Sequence, residues 1–221
     1  PYPVMPRTPS PAMTPDHAPL SRYDWDLIAR QLDAEGWALL PGFFQEDAAR
    51  RLARADADAA AFDSLRADLY RQLLPVARSW AAALQQDETY PDDFSAWIQR
   101  NRDAGQPRRL AALNRLAADA YQPLIQHADG THVFPLQLVA LLSRPGADFA
   151  GGEFVMTEQR PRMQSRPMVL PLDLGDAAVI AVSHRPVQGA RDIYRVTSRQ
   201  AVSRVRAGQR IGLEVLLHDI P

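Results

Sequence analysis

From Val133 to Leu217 the chain is a succession of short apolar runs cut by Gly, Pro and Asp, and this limits its fold more than anything else in it. Val133-Phe134-Pro135-Leu136-Gln137-Leu138-Val139-Ala140-Leu141-Leu142 comes first. Gly151-Gly152-Glu153-Phe154 follows, then the run from Gly175 to Val182, then Gly208-Gln209-Arg210 leading into Ile211 to Leu217. Runs of this length, bounded by residues that favour turns, are strands joined by turns. The segment opens on His127-Ala128-Asp129-Gly130. On a strand, residues two apart share a face. His127 and Asp129 are therefore expected side by side, as a general-base pair or as two metal ligands.

Before this segment the pattern is helical. Asp24 is placed to cap a helix through about Glu35, with Trp25, Ile28 and Leu32 on one face and Gly36 as its stop. Trp37 to Leu40 is a short strand closed by Pro41-Gly42. Helices are expected over Gln45 to Ala55, over Leu65 to Leu84 with a bend at Pro75, and over Pro91 to Arg102 with Pro91 in its first turn. Their aromatic stripes read as core. Arg109 to Leu116 and Tyr121 to Gln126 are the first strands of the β half. Helices first and strands after give an α+β fold: a double-stranded β-helix, or jelly-roll, core of about eight strands buttressed by the N-terminal helices. Residues 1–22, rich in Pro, are expected to be a disordered leader, and 23–221 one domain.

Composition narrows the chemistry. No Cys is present, so any metal must take His, Asp or Glu. All 25 basic residues are Arg, and the net charge of -1 argues against nucleic-acid binding over the whole surface. From Arg160 onward ten Arg face five acids, an excess best read as solvated strand faces. No apolar stretch is long enough for a membrane span, and a cytoplasmic protein is expected.

Several motifs carry a resemblance. Glu35-Gly36-Trp37-Ala38-Leu39-Leu40-Pro41-Gly42-Phe43-Phe44 is similar to the entry strand of the Fe(II)/2-oxoglutarate-dependent oxygenases. Phe149-Ala150-Gly151-Gly152-Glu153-Phe154, Gly175 to Ile180 and Val205 to Arg210 follow the order of that family's barrel. The stretches Thr157 to Arg166 and His184-Arg185-Pro186-Val187-Gln188-Gly189 resemble a bacterial branch described as prolyl-hydroxylase-like or as acting on damaged DNA.

The resemblance implies Fe(II) held by two His and a carboxylate, with 2-oxoglutarate gripped by an Arg. Arg210 stands where that Arg belongs, and Asn114 and Tyr121 are candidates for touching the cosubstrate. His127, Asp129 and His184 are the candidate iron ligands. Counted back from Val133, the branch places its His-x-Asp pair where this chain has Ile125 and His127. Its second His falls on Gln200, and an amide is a weaker iron ligand than imidazole. The stretch before Leu65, basic and aromatic in the branch, is here Ala- and Asp-rich.

Two functions follow. One is an Fe(II)/2-oxoglutarate oxygenase of hydroxylase or demethylase type with an atypical, incomplete triad, acting on a small or nucleobase-like substrate. The other is an inactive homologue that keeps the pocket to bind a small anion or a partner.

Overall fold

The structure, a computed structural model, describes residues 15–55, 58–160 and 163–221. Most of the expected leader, residues 1–14, lies outside the described residues. Packing begins ahead of Tyr23: the Ala18 amide donates to the Phe43 carbonyl at 2.7 Å, and Leu20 joins the core.

Four α-helices come first. In α1 (Trp25–Glu35) the Asp24 carboxylate accepts from the Leu27 amide at 2.9 Å, which satisfies one of the orphan donors of the first turn. Gly36 ends the helix in the left-handed conformation, φ 76°. No side chain fits there: a Cβ would stand 2.7 Å from Arg185 Nε. α2 (Glu46–Arg54) buries Ala48, Ala49, Leu52 and Ala53. α3 (Asp63–Ala83) runs through Pro75 without a break. α4 (Phe94–Asp103) starts later than expected, because Asp93 rather than Pro91 provides its entry and accepts from the Ser95 amide at 3.2 Å. Pro91 instead lies ahead of the helix, its carbonyl taking the Tyr70 hydroxyl at 2.7 Å.

The strands are β1 (Trp37–Leu40), β2 (Ala111–Ala117), β3 (Gln122–Ile125), β4 (Leu136–Leu141), β5 (Phe149–Gly151), β6 (Phe154–Gln159), β7 (Arg166–Leu170), β8 (Ala177–Ala181), β9 (His184–Gln188), β10 (Ile193–Val202) and β11 (Val205–Leu216). They form two antiparallel sheets. The major sheet has the order β1-β8-β4-β11-β2, with β5 on β11. The minor sheet has the order β3-β10-β6-β7, with β9 on β10. The molecule is α+β, with a jelly-roll-like core buttressed by the helices.

The central strands β4 and β8 of the major sheet are buried on both faces, which is why they are near-continuous apolar runs instead of alternating ones. Leu138 and Ala140 of β4, Val179 of β8 and Leu213 and Val215 of β11 share one cluster with Leu65, Leu69, Trp80 and Trp97 of the helices. Val139, Ala178 and Ile180 point the other way, into a second cluster with Phe154, Met156, Met168 and Val202 of the minor sheet. Full burial of each such Val, Leu, Ile or Met side chain contributes about 1.5–3 kcal/mol. The helices therefore stabilise the major sheet from outside. The space between the sheets is the barrel interior.

Candidate functional site

Alternation along β11 decides what enters that interior. Leu213 and Val215 face the helices, so Arg210, Gly212 and Glu214 face the barrel. Gly212 adds no side chain between the two charges. A Cβ there would meet Arg210 Nη1 at 2.7 Å, so its absence lets the guanidinium fold back along the strand. Arg210 is 3% exposed. Its Nε donates to the Gly152 carbonyl at 2.8 Å, and no described carboxylate oxygen comes within 4.0 Å of its nitrogens. Burial pulls its pKa down to about 10, opposed by the negative charge of Glu214.

Glu214 is the centre of a polar network that the sequence reading did not anticipate. Its Oε2 lies 2.8 Å from His127 Nε2, and its Oε1 accepts from Gln122 Nε2 at 3.2 Å. Gln122 Oε1 accepts in turn from the Asn114 side-chain amide. The signal was present: Glu214 shares strand parity with Arg210 and interrupts the apolar run from Ile211 to Leu217.

Nearby, the Gln137 amide of β4 donates to Gln200 Oε1 of β10, across the barrel. Both glutamines are buried, 1% and 3% exposed. Gln137 Oε1 and Gln200 Nε2 have no hydrogen-bond partner. Gln200 is directly opposite Ile125 of β3, so the positions that the resemblance assigns to two ligands do adjoin, but as an aliphatic group and an amide.

The expected site residues are scattered. β3 ends at Ile125, so the alternation that would set His127 beside Asp129 does not apply. His127 turns inward to Glu214, whereas Asp129 is exposed. His184 pairs with Thr197 across β9 and β10, on the opposite face of the minor sheet from Gln200. It lines an outer cavity with Trp80, Tyr90 and Ala128, and burial and then Arg195 push its pKa down. Tyr121 is 63% exposed, not in the pocket. Asn114 and Arg210 do share a cavity. His218 is fully buried under the loop: its Nε2 is 3.1 Å from the His127 carbonyl, and burial drives its pKa to about 3. Two of the C-terminal Arg residues are buried, contrary to the expectation of solvated faces. Besides Arg210, Arg185 is fully buried against Glu158, with the Asp33 and Ala34 carbonyls taking its remaining donors.

Two spaces adjoin Arg210. A cavity of about 10 Å³ lies between Arg210, Asn114, Val139, Phe154, Val202 and Glu214, room for about one water. On the other side is a cavity of about 420 Å³, with Phe149, Gly152, Phe154, Val169 and Leu172 among its walls. That is the size of a small-molecule site.

An iron centre does not fit these residues. Among the described residues no group of three or more His, Asp or Glu could hold a metal, and the two His–carboxylate contacts, His127 with Glu214 and His132 with Glu88, are direct hydrogen bonds. 2-Oxoglutarate does not fit the inner space either, because about 10 Å³ is room for one water and not for a dicarboxylate.

A family model described as "Oxygenase, catalysing oxidative methylation of damaged DNA" matches residues 55–220. Two uncharacterized proteins from two strains of Mycobacterium tuberculosis are each 37% identical over 157 residues, 71% of this chain and 67% of theirs. Among solved structures, a prolyl-4-hydroxylase of Pseudomonas putida aligns over 91% of this chain and 96% of its own, at 12% identity and TM-score 0.49. A 2OG-Fe(II) oxygenase family oxidoreductase of Burkholderia pseudomallei aligns over 88% and 89%, at 18% identity and TM-score 0.43. These structural likenesses are weak, and the relationship rests on the sequence matches.

Proposed function

The chain belongs to the Oxygenase-NA family, and on that premise we propose that it is a non-redox member, a barrel that binds a small ligand without oxidising it. One observation carries this reading. The places where the resemblance puts iron ligands hold Ile125, His127 and Gln200, and the Gln200 amide is tied to Gln137. A neutral amide is a poor donor for iron, and a carboxamide already engaged in the core is poorer still. The cavity of about 420 Å³ supports the binding part. Its walls are largely apolar, with Phe149 and Phe154 supplying flat surface and Arg210 and Glu153 supplying charge. That lining suits a small, flat, nucleobase-like body, in keeping with a family described by its action on damaged DNA.

Metal analysis of the full chain purified without chelator tests the first part, with succinate release from 2-oxoglutarate as the second readout. The expected result is less than stoichiometric iron and no succinate. Fe(II) bound at micromolar affinity, or turnover, ends this reading. A panel of nucleobases and nucleosides scored by thermal shift tests the second part. Binding that survives Phe154→Ala unchanged places the ligand elsewhere.

A second reading has its own observation: His127 Nε2 and Glu214 Oε2 sit side by side, 16% and 12% exposed. Such a pair supplies two of the donors of an atypical iron site, and the function would then be hydroxylation or demethylation. Anaerobic titration with Fe(II) and 2-oxoglutarate decides it: a weak visible charge-transfer band is expected on this reading, and none on the first.

A further inference from the structure

We propose that Glu214 is a built-in carboxylate that holds the seat of a bound anion between Arg210 and His127, so that this barrel excludes small dicarboxylates instead of recruiting them. The inference goes beyond the absence of an iron site, since it concerns the anion seat and is tested on metal-free protein.

The argument starts from charge. A buried guanidinium is costly unless hydrogen-bonded and balanced. Arg185 meets that requirement by direct contact with Glu158 and two backbone carbonyls. Arg210 has one carbonyl contact and no ion pair, which is how a guanidinium waiting for a ligand is arranged. The anion it would receive is already supplied. Glu214 stands four residues on, on the same face of β11, and its charge is the one that opposes the effect of burial on Arg210.

The geometry then fixes Glu214 in place. His127 holds one carboxylate oxygen and Gln122 the other, and Asn114 holds Gln122. A carboxylate with both oxygens engaged does not swing aside to admit a ligand. What is left between it and Arg210 is about 10 Å³, enough for one bridging water with Arg210, Asn114 and Glu214 as its polar partners. A second carboxylate entering this space would meet a like charge at close range and would not fit the volume that is left.

Glu214 is thus the specificity-determining residue. Removing its side chain leaves Arg210 unbalanced beside a void lined by Asn114, His127 and Gln122, all of which can donate hydrogen bonds to an anion.

The test is calorimetric titration of the metal-free full chain with 2-oxoglutarate and with succinate. The wild type is expected to give no saturable heat in the millimolar range. Glu214→Ala is expected to bind at least about tenfold more tightly than wild type, the affinity step that one retained charge-assisted contact supplies. Glu214→Gln, which keeps the volume, should stay closed. Arg210→Met placed on Glu214→Ala should abolish the gain. Should Glu214→Ala fail to melt cooperatively, Glu214→Ser, which leaves a hydroxyl for His127, takes its place. Wild type that binds as tightly as the truncated variant, or a folded truncated variant that gains nothing, overturns the proposal. Iron found on wild type would end the non-redox reading yet leave this comparison of metal-free proteins standing.

Discussion

Leu213 and Glu214 are consecutive residues of β11, yet they belong to two chemically opposite regions. Leu213 lies in the cluster where helices meet the major sheet, among Leu138, Val179, Leu65 and Trp97. Glu214 lies between the sheets, bonded to His127 and Gln122 and facing Arg210 across a gap the size of a water. The outer face of the sheet is apolar and packs against the helices. The inner face carries amides, a carboxylate and a guanidinium, and the bonds from Glu214 to His127 and Gln122 and from Gln137 to Gln200 join distant segments. Both faces carry apolar clusters, but only the inner one adds buried polar groups among them.

Several measurements would break or sharpen that contrast. The largest effect is expected outside the barrel. Leu213→Ala should cost about 2–5 kcal/mol in denaturant unfolding, through lost burial and the cavity left behind, with ligand binding unchanged. A loss below 1 kcal/mol, by the same standard, would mean that the helix layer does not carry the stability assigned to it.

Next comes pH. The folded pKa of His218, about 3, lies below the ordinary imidazole value of 6.5. The unfolded chain therefore takes up a proton in that window and the folded chain does not. Stability is full above pH 6.5 and falls toward pH 3, by about 1.4 kcal/mol per pH unit for this one group. Between pH 6.5 and 5 urea unfolding should show a loss of about 2 kcal/mol that His218→Gln flattens. An unchanged slope in the variant would show that imidazole is not the group responsible.

The amide pair gives a sign test. Gln137→Leu alone leaves Gln200 buried with neither amide atom satisfied and should cost about 1–3 kcal/mol. Gln137→Leu with Gln200→Leu should return to within about 1 kcal/mol of wild type, because a matched apolar pair needs no partners. Additive losses would mean that the bond across the barrel contributes to stability after all. The smallest effect is expected at Tyr121, exposed and outside the pocket, where Ala should change stability by no more than about 0.5 kcal/mol and leave binding untouched.

Much of the fold was legible because its signals are local. Asp24 caps the helix it precedes, Gly36 stops it, and the Gly- and Asp-bounded apolar runs became β4, β8 and β11. Pro91 misled by three residues, since a nearby Asp93 was the stronger entry signal. The site was less legible. Treating His127-Ala128-Asp129 as a strand gave the two side chains a common face, but β3 stops at Ile125 and the loop beyond it sends them apart. Arg210 was found through its resemblance, and its strand parity with Glu214 was there to be read.

What the sequence determined by itself is the order of helices and strands, the apolar runs of the barrel strands and the presence of Arg210 on one of them. Those follow from spacing of 2.0 or 3.6 residues and from turn chemistry, which act over a few neighbours. Only the tertiary structure decided that Gln137 would meet Gln200, 63 positions away, and that His127 would meet Glu214, 87 positions away. Contacts at such separations depend on strand register and on where loops end, and no short-range preference encodes either.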